Sequence, residues 1–259
     1  MAGLSAAGVM MADPVIEIIN LTKSFGAVTA SDGLTFSVRR GEIHALIGPN
    51  GAGKSTTIGQ IVGEIRPDSG RVRFEGHDIT HMPIHRRVQL GLQRSYQMTS
   101  LFPDFTAEDN VAMAIQAQQG HSFQFWSRAR RDPALRQPAR LGLKRVGLED
   151  KADLKVAELA HGEQRQLELA MALVTGPSAL LLDEPMAGMG QSESLAMMDI
   201  LRPLKGEVGI LLVEHDMDVV FSLADVITVM VKGSVLMTGT PEEVRGNADV
   251  RRAYLGDEV

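Results

Sequence analysis

Cysteine is absent from this 259-residue chain, which excludes disulfides, thiolate metal sites and cysteine nucleophiles. That absence is compatible with a cytoplasmic location. No uninterrupted apolar run approaches the roughly 18–20 residues that a bilayer-spanning helix needs; VITVMV, Val226 to Val231, is strand-sized. The opening MAGLSAAGVMMADP lacks a basic n-region and an apolar block, so a frayed tail is expected there and not a signal peptide. An excess of basic residues is also missing, and the net charge of −6 argues against nucleic acid as a partner. There is no internal repeat and no low-complexity tract. The chain is long enough to bury a large core as one domain or two closely joined lobes, and its 44% hydrophobic content is ordinary. These limits leave a soluble intracellular enzyme, and any membrane role must come through a partner.

The most informative stretch is GPNGAGKST, Gly48 to Thr56. It fits the phosphate-binding pattern G-x-x-x-x-G-K-[ST], with Gly48, Gly53, Lys54 and Ser55 at the required places. Pro49, Asn50, Gly51 and Ala52 fill the loop, and Thr56 follows it. Glycines let backbone N–H groups turn inward around a triphosphate, where a side chain would block the approach. Lys54 is then placed to reach the β- and γ-phosphates, and the Ser55 hydroxyl to coordinate Mg²⁺. The context agrees. IHALIG (Ile43 to Gly48) reads as a buried strand entering the loop, and STTIGQIVGEI (Ser55 to Ile65) as a helix leaving it.

Along the chain the pattern changes twice. Residues 15–47 hold short β-type runs: VIEIINL from Val15, LTFSV from Leu34 and IHALI from Ile43. Residues 98–175 are mainly helical in pattern, with Thr106 and Asp109 predicting a capping box. From residue 176 onward the runs ALLLD, GILLVEHD and DVITVMV predict apolar strands of a parallel sheet covered on both faces. Thr240, Pro241 and Glu243 predict a further helix start, with N-cap, Pro at N1 and Glu at N3. Residues 121–140 are Arg-rich and contain the single Trp, Trp126. They read either as a solvated basic surface or as a docking face.

ALLLDEP, Ala179 to Pro185, is the second chemical motif. An apolar strand that ends in two carboxylates is expensive unless those carboxylates face a ligand. Asp183 is placed to hold Mg²⁺ opposite Ser55, and Glu184 to polarise the attacking water.

Many NTPases carry those two motifs; the remaining residues narrow the choice. LAHGEQRQLELAMAL, Leu159 to Leu173, resembles the signature helix of ATP-binding-cassette (ABC) proteins. Gln97 in RSYQ resembles that family's Q-loop glutamine, His215 in LLVEHD its switch histidine, and Phe25 in KSFG the aromatic under the adenine. All occur in the family's order, and the resemblance covers residues 15–257. Together with GEQRQLE, DEPMAGMG and the closing GTPEEVRGNADVRRAYLG, the set resembles the ATPase subunits of branched-chain amino acid importers. Three departures stand out: Ala160 and His161 replace the usual serine and glycine of the signature, Gly190 stands where relatives have Asp or Asn, and Gln166 replaces a usual Arg.

The resemblance implies an α/β P-loop NTPase of RecA-like type. Its mostly parallel core would comprise residues 15–97 and 176–257, with an N-terminal antiparallel β subdomain and an inserted helical signature subdomain, 98–175, after a flexible tail of residues 1–14. It also implies ATP and Mg²⁺ as cofactors, with Gln97 joining Ser55 and Asp183 at the metal and Glu184 and His215 in hydrolysis. Two cassettes, identical or not, would pair head to tail so that Ala160, His161, Gly162 and Glu163 of one meet the γ-phosphate on the other, through backbone N–H groups near Gly162. Integral membrane permeases would anchor the pair on the cytoplasmic face of the membrane, with an external solute-binding protein as an indirect partner. Rival readings are an export or lipid-extraction ATPase, a soluble cassette ATPase without a transport role, and a non-enzymatic nucleotide-binding module, against which Glu184 and His215 argue.

Overall fold

A computed structural model of the chain describes residues 13–95, 101–118 and 132–255. Two sheets organise it. The first is antiparallel, in the order β2-β1-β4-β5, from β1 (Pro14–Phe25), β2 (Val28–Arg39), β4 (Ser69–Phe74) and β5 (His77–Asp78). Ile16, Ile18, Val72 and Phe74 supply its buried face, and the other carries mostly polar residues such as Glu17, Thr35, Arg71 and Arg73, the alternation of a one-sided sheet.

The second sheet has the order β10-β9-β3-β8-β7-β6. Its strands are β3 (Ile43–Ile47), β6 (Leu92–Ser95), β7 (Ala179–Asp183), β8 (Gly209–Val213), β9 (Val226–Val231) and β10 (Ser234–Gly239). Five run parallel, and β10 adds an antiparallel edge. Every residue of β3, β7 and β8 is buried. The reason is visible in β7: Ala179 and Leu181 join the core under the antiparallel sheet, whereas Leu180 and Leu182 join the core on the opposite face. Strands covered on both sides carry continuous apolar runs, as the sequence predicts.

Helix α1 (Lys54–Val62) leaves β3 through the phosphate loop and is closed where the Gly63 N–H donates to Gly59 O. Helix α2 (Ile84–Gln89) follows. The stretch from 101 to 173 holds α3 (Ala107–Gln118), α4 (Pro133–Arg145) and α5 (His161–Leu173), which pack on one another and on the face of the sheet that carries Leu180 and Leu182. The chain then adds α6 (Gln191–Leu201), α7 (Met217–Leu223), α8 (Pro241–Gly246) and α9 (Ala248–Leu255). Thr240 caps α8 with a complete box: its Oγ1 accepts from the Glu243 N–H at 3.3 Å, and Glu243 Oε2 accepts from the Thr240 N–H at 2.8 Å.

The capping box expected at Thr106 is half present. Thr106 Oγ1 accepts from the Asp109 N–H at 3.0 Å, but the Asp109 carboxylate turns inward to Arg136 at 2.7 Å. Beside it, the buried Glu108 accepts from Arg140 at 2.8 Å. Arg136 and Arg140 belong to the Arg-rich stretch, so in α4 that stretch clasps buried carboxylates of α3 and is not simply a solvated surface. Trp126 lies outside the described residues. Among the described residues, no helix is long and apolar enough to cross a membrane.

Candidate nucleotide-binding site

The phosphate loop occupies the turn from β3 into α1. Two of its glycines are demanded by the protein's own backbone: a Cβ on Gly48 would stand 2.3 Å from the Met230 carbonyl oxygen in β9, and one on Gly53 would stand 2.0 Å from that of Ala30 in β2. A Cβ on Gly51 would meet nothing within 4 Å. The space that the absent side chains leave at Gly48 and Gly53 is therefore taken by neighbouring strands and not by a ligand. Lys54 is 8% exposed, and its ammonium donates to Gly48 O at 2.6 Å and Pro49 O at 3.2 Å. Burial pushes its pKa down, opposed by the charges of Glu184 and Asp183. Asn50, Gly51 and Ser55 face solvent, Pro49 and Thr56 are half-buried, and Ala52 is packed inside.

Opposite the loop, β7 delivers Asp183 at its last position and Glu184 just beyond. Asp183 is 4% exposed. Its Oδ2 accepts from Arg94 Nη2 at 3.0 Å, whereas its Oδ1 is buried without a hydrogen-bond partner among the described residues. Desolvation raises its pKa, and the Arg94 guanidinium works against that. Glu184 adopts a left-handed φ of 53°, a conformation that costs a non-glycine residue about 1–3 kcal/mol. Its N–H donates to Val213 O at 2.8 Å, and its Oε1 lies 2.9 Å from His215 Nε2. The phosphate loop, Asp183, Glu184 and His215 therefore converge at the carboxyl ends of neighbouring parallel strands, where the crevice of an open α/β sheet lies.

The signature residues form the N-terminus of α5. Ala160 is the N-cap and offers no side-chain acceptor, while Glu163 accepts from the Ala160 N–H at 3.0 Å and also pairs with Lys151. Gly162 is buried: a Cβ there would lie 2.7 Å from Oε1 of Glu193. The other oxygen of Glu193 accepts from the Gly190 N–H at 2.9 Å. Glu193, in the first turn of α6, thus ties the signature helix to the turn after DEP. His161 lies beside that turn as well, since a Cβ on Gly188 would stand 3.7 Å from its Cε1. Phe25 is 52% exposed at the end of β1, with the Lys23 ammonium 5.3 Å from its ring centre. Gln97 lies outside the described residues.

Three participants escaped the sequence reading. Arg94, three residues before Gln97, bridges Asp183 and Glu64. Glu214 is 4% exposed; its carboxylate accepts from the Met186 N–H at 3.0 Å and the His215 N–H at 3.3 Å, and burial raises its pKa. The third is Glu193. For Glu214 the signal was present: a carboxylate ending an apolar strand, as in DEP.

Comparison with known proteins identifies the family. The family model for ABC transporters matches residues 31–187, and that for branched-chain amino acid ATP-binding cassette transporters matches residues 234–259. The chain is 36% identical over 257 residues to the high-affinity branched-chain amino acid transport ATP-binding protein BraF of Pseudomonas aeruginosa, covering 95% of this chain and 100% of that one. It is 35% identical over 256 residues, with the same coverage, to the corresponding LivG of Escherichia coli K12. Among solved structures, the ADP conformation of an ATP-binding cassette of an ABC transporter superposes with a TM-score of 0.83 at 27% identity, covering 95% of this chain and 100% of that one. The chain belongs to the ABC transporter family, as one of its ATP-hydrolysing cassettes.

Proposed function

We propose that the chain powers import of branched-chain amino acids, or of chemically related small solutes, through membrane permeases. The observation that carries this is the joint presence of a phosphate loop facing Asp183, Glu184 and His215 and a C-terminal segment, 234–259, matching the branched-chain amino acid cassettes. In the proposed reaction the triphosphate lies along the loop from Gly48 to Thr56, with Lys54 neutralising β/γ charge and Phe25 stacking under the adenine. The residues fit Mg²⁺: Oδ1 of Asp183, buried without a hydrogen-bond partner among the described residues, and the exposed Ser55 hydroxyl are hard oxygen donors, and Gln97 would add a third. The ion would supply charge neutralisation at the β- and γ-phosphates. Glu184, with one oxygen held by His215, takes a proton from water as that water's oxygen bonds to the γ-phosphorus. The bond from that phosphorus to the β–γ bridging oxygen breaks, and ADP and phosphate leave.

Hydrolysis becomes transport when two cassettes, identical or not, sandwich ATP between one phosphate loop and the partner's α5 N-terminus. Cleavage removes that bridge and reopens the pair, a population shift driven by differential binding. A cleft of about 480 Å³ between α2, β6, α3 and α5, lined by Val88, Leu101, Ala114 and Met171 among others, is where a permease segment would dock. This keeps the chain at the cytoplasmic face of the membrane and an external solute-binding protein out of direct contact. Co-expression with permeases from neighbouring genes tests the reading. Membrane retention and ATP-dependent leucine uptake into vesicles are expected. ATP turnover with no retention by any hydrophobic partner would refute the transport role.

A further inference from the structure

Arg94 sits in β6, at the edge of the parallel sheet, yet its side chain is only 13% exposed. Nη1 reaches Glu64 at 2.6 Å and Nη2 reaches Asp183 Oδ2 at 3.0 Å. Glu64 follows directly on the glycine that closes α1, the helix that begins at the phosphate loop. One planar guanidinium therefore joins the helix leaving the loop, the edge strand and the carboxylate at the end of β7. A fork of fixed geometry suits that task, and a lysine ammonium does not.

We propose that Arg94 is a positioning residue for the metal ion of the nucleotide site. It holds one oxygen of Asp183 and leaves the other, which has no partner among the described residues, for the ion. The torsion that turns a carboxylate about its own axis is broad and roughly two-fold, so an unheld Asp183 would present either oxygen in more than one direction. With Oδ2 fixed at Arg94, only Oδ1 remains, and it is buried without a hydrogen-bond partner among the described residues. Leaving such an atom unsatisfied is costly, and a metal or its bound water is the partner that this donor set favours. The guanidinium also offsets the cost of keeping a carboxylate charged in an apolar strand. Partners of this kind set metal affinity in proteins at large: losing one typically costs about 10–100-fold. The inference rests on the ATPase reading above, in which Asp183 serves the ion.

The test uses the full chain carrying Glu184→Gln, so that nucleotide is not consumed, with Mn²⁺ as a paramagnetic probe. ATP affinity is measured first in EDTA and Mn²⁺ affinity then with ATP bound. Arg94→Met should weaken Mn²⁺ binding about 10–100-fold and leave metal-free ATP affinity unchanged. Arg94→Lys and Glu64→Gln should weaken it less, the first because one donor replaces a fork, the second because the fork loses its anchor. If Arg94→Met does not fold, these two milder variants decide. Unchanged Mn²⁺ affinity in both overturns the role given to Arg94. Failure of the chain with intact Arg94 to bind ATP both in EDTA and with Mn²⁺ present would overturn the ATPase reading itself, and with it this inference.

Discussion

Glu184 is the residue to which the proposed reaction assigns the base. Its left-handed backbone is strained, and its carboxylate lies 2.9 Å from His215 Nε2. Replacing it with Gln keeps shape and hydrogen bonding but loses the basic oxygen. Glu184→Gln should bind ATP normally and lose about 10²–10⁴-fold in turnover, read by steady-state phosphate release; near-normal hydrolysis would remove Glu184 from the role of base. Lys54→Ala should abolish measurable MgATP binding by calorimetry while the far-UV spectrum persists, because the ammonium is the one loop side chain able to neutralise β/γ-phosphate charge. Glu214 makes a different prediction. Burial raises its pKa, so the folded state is penalised as the pH climbs through that raised value and the carboxyl ionises. Gln carries no such penalty. The Tm of Glu214→Gln minus that of the unaltered chain should therefore become more positive as pH rises above the ordinary glutamate range, and a difference flat with pH would contradict this origin.

At the scale of elements, the junction of α5 and α6 carries the signature. Glu193 packs its carboxylate on Gly162 and holds the Gly190 N–H. Any side chain at position 162 therefore meets Glu193 before it meets a nucleotide. Gly162→Asp adds like-charge repulsion to that collision. In a Glu184→Gln background it should show no ATP-dependent dimer by sedimentation while still binding ATP as a monomer. An intact dimer would mean that the contact of Gly162 with Glu193 is not needed to present α5 to the partner. Ala160 is the N-cap of α5 and contributes no side-chain acceptor. Ala160→Ser supplies a hydroxyl that can accept from the third residue of the helix, a change worth about 0.5–2 kcal/mol. A raised Tm with unimpaired turnover is expected, and a lowered Tm would show that the cap cannot form there. The phosphate loop is an element of the same kind, since its shape is enforced from β2 and β9 at Gly53 and Gly48.

For the whole molecule, the parallel sheet places the phosphate loop, both carboxylates and His215 at one end, while α2, α3 and α5 frame a cleft with β6. Arg94 lies on both, because its side chain lines the cleft and its guanidinium reaches Asp183. Arg87 makes a second such link from α2: it is 2% exposed and donates to the carbonyls of Gln60 and Ile61 at the end of α1. Desolvation lowers its pKa to about 10, so it stays charged at neutral pH, and a cation at a helix C-terminus is favourable. Arg87→Met should leave four backbone carbonyls without their donor and lower the Tm clearly, since each unsatisfied buried acceptor costs about 1–3 kcal/mol. A change in Tm no larger than that of a surface substitution would show that water replaces it.

Much of this was legible in the sequence because the interactions concerned are local. The strand–loop–helix order about Gly48 to Thr56, the buried strands ALLLD and GILLV, and the cap at Thr240 depend on neighbours within a few residues, and periodicity and residue type report such neighbours directly. Identity as an ABC cassette was legible for the same reason, since its motifs are short and keep their order. What only the tertiary structure decided involves partners far apart in the chain: Arg94 on Asp183, Glu193 against Gly162, Arg136 and Arg140 on the carboxylates of α3, and Met230 and Ala30 pressing on two loop glycines. A charged residue looks the same in sequence whether it is solvated or clasped. The difference lies in desolvation and in which opposite charge the fold brings within hydrogen-bond distance, and both exist only once the chain has packed.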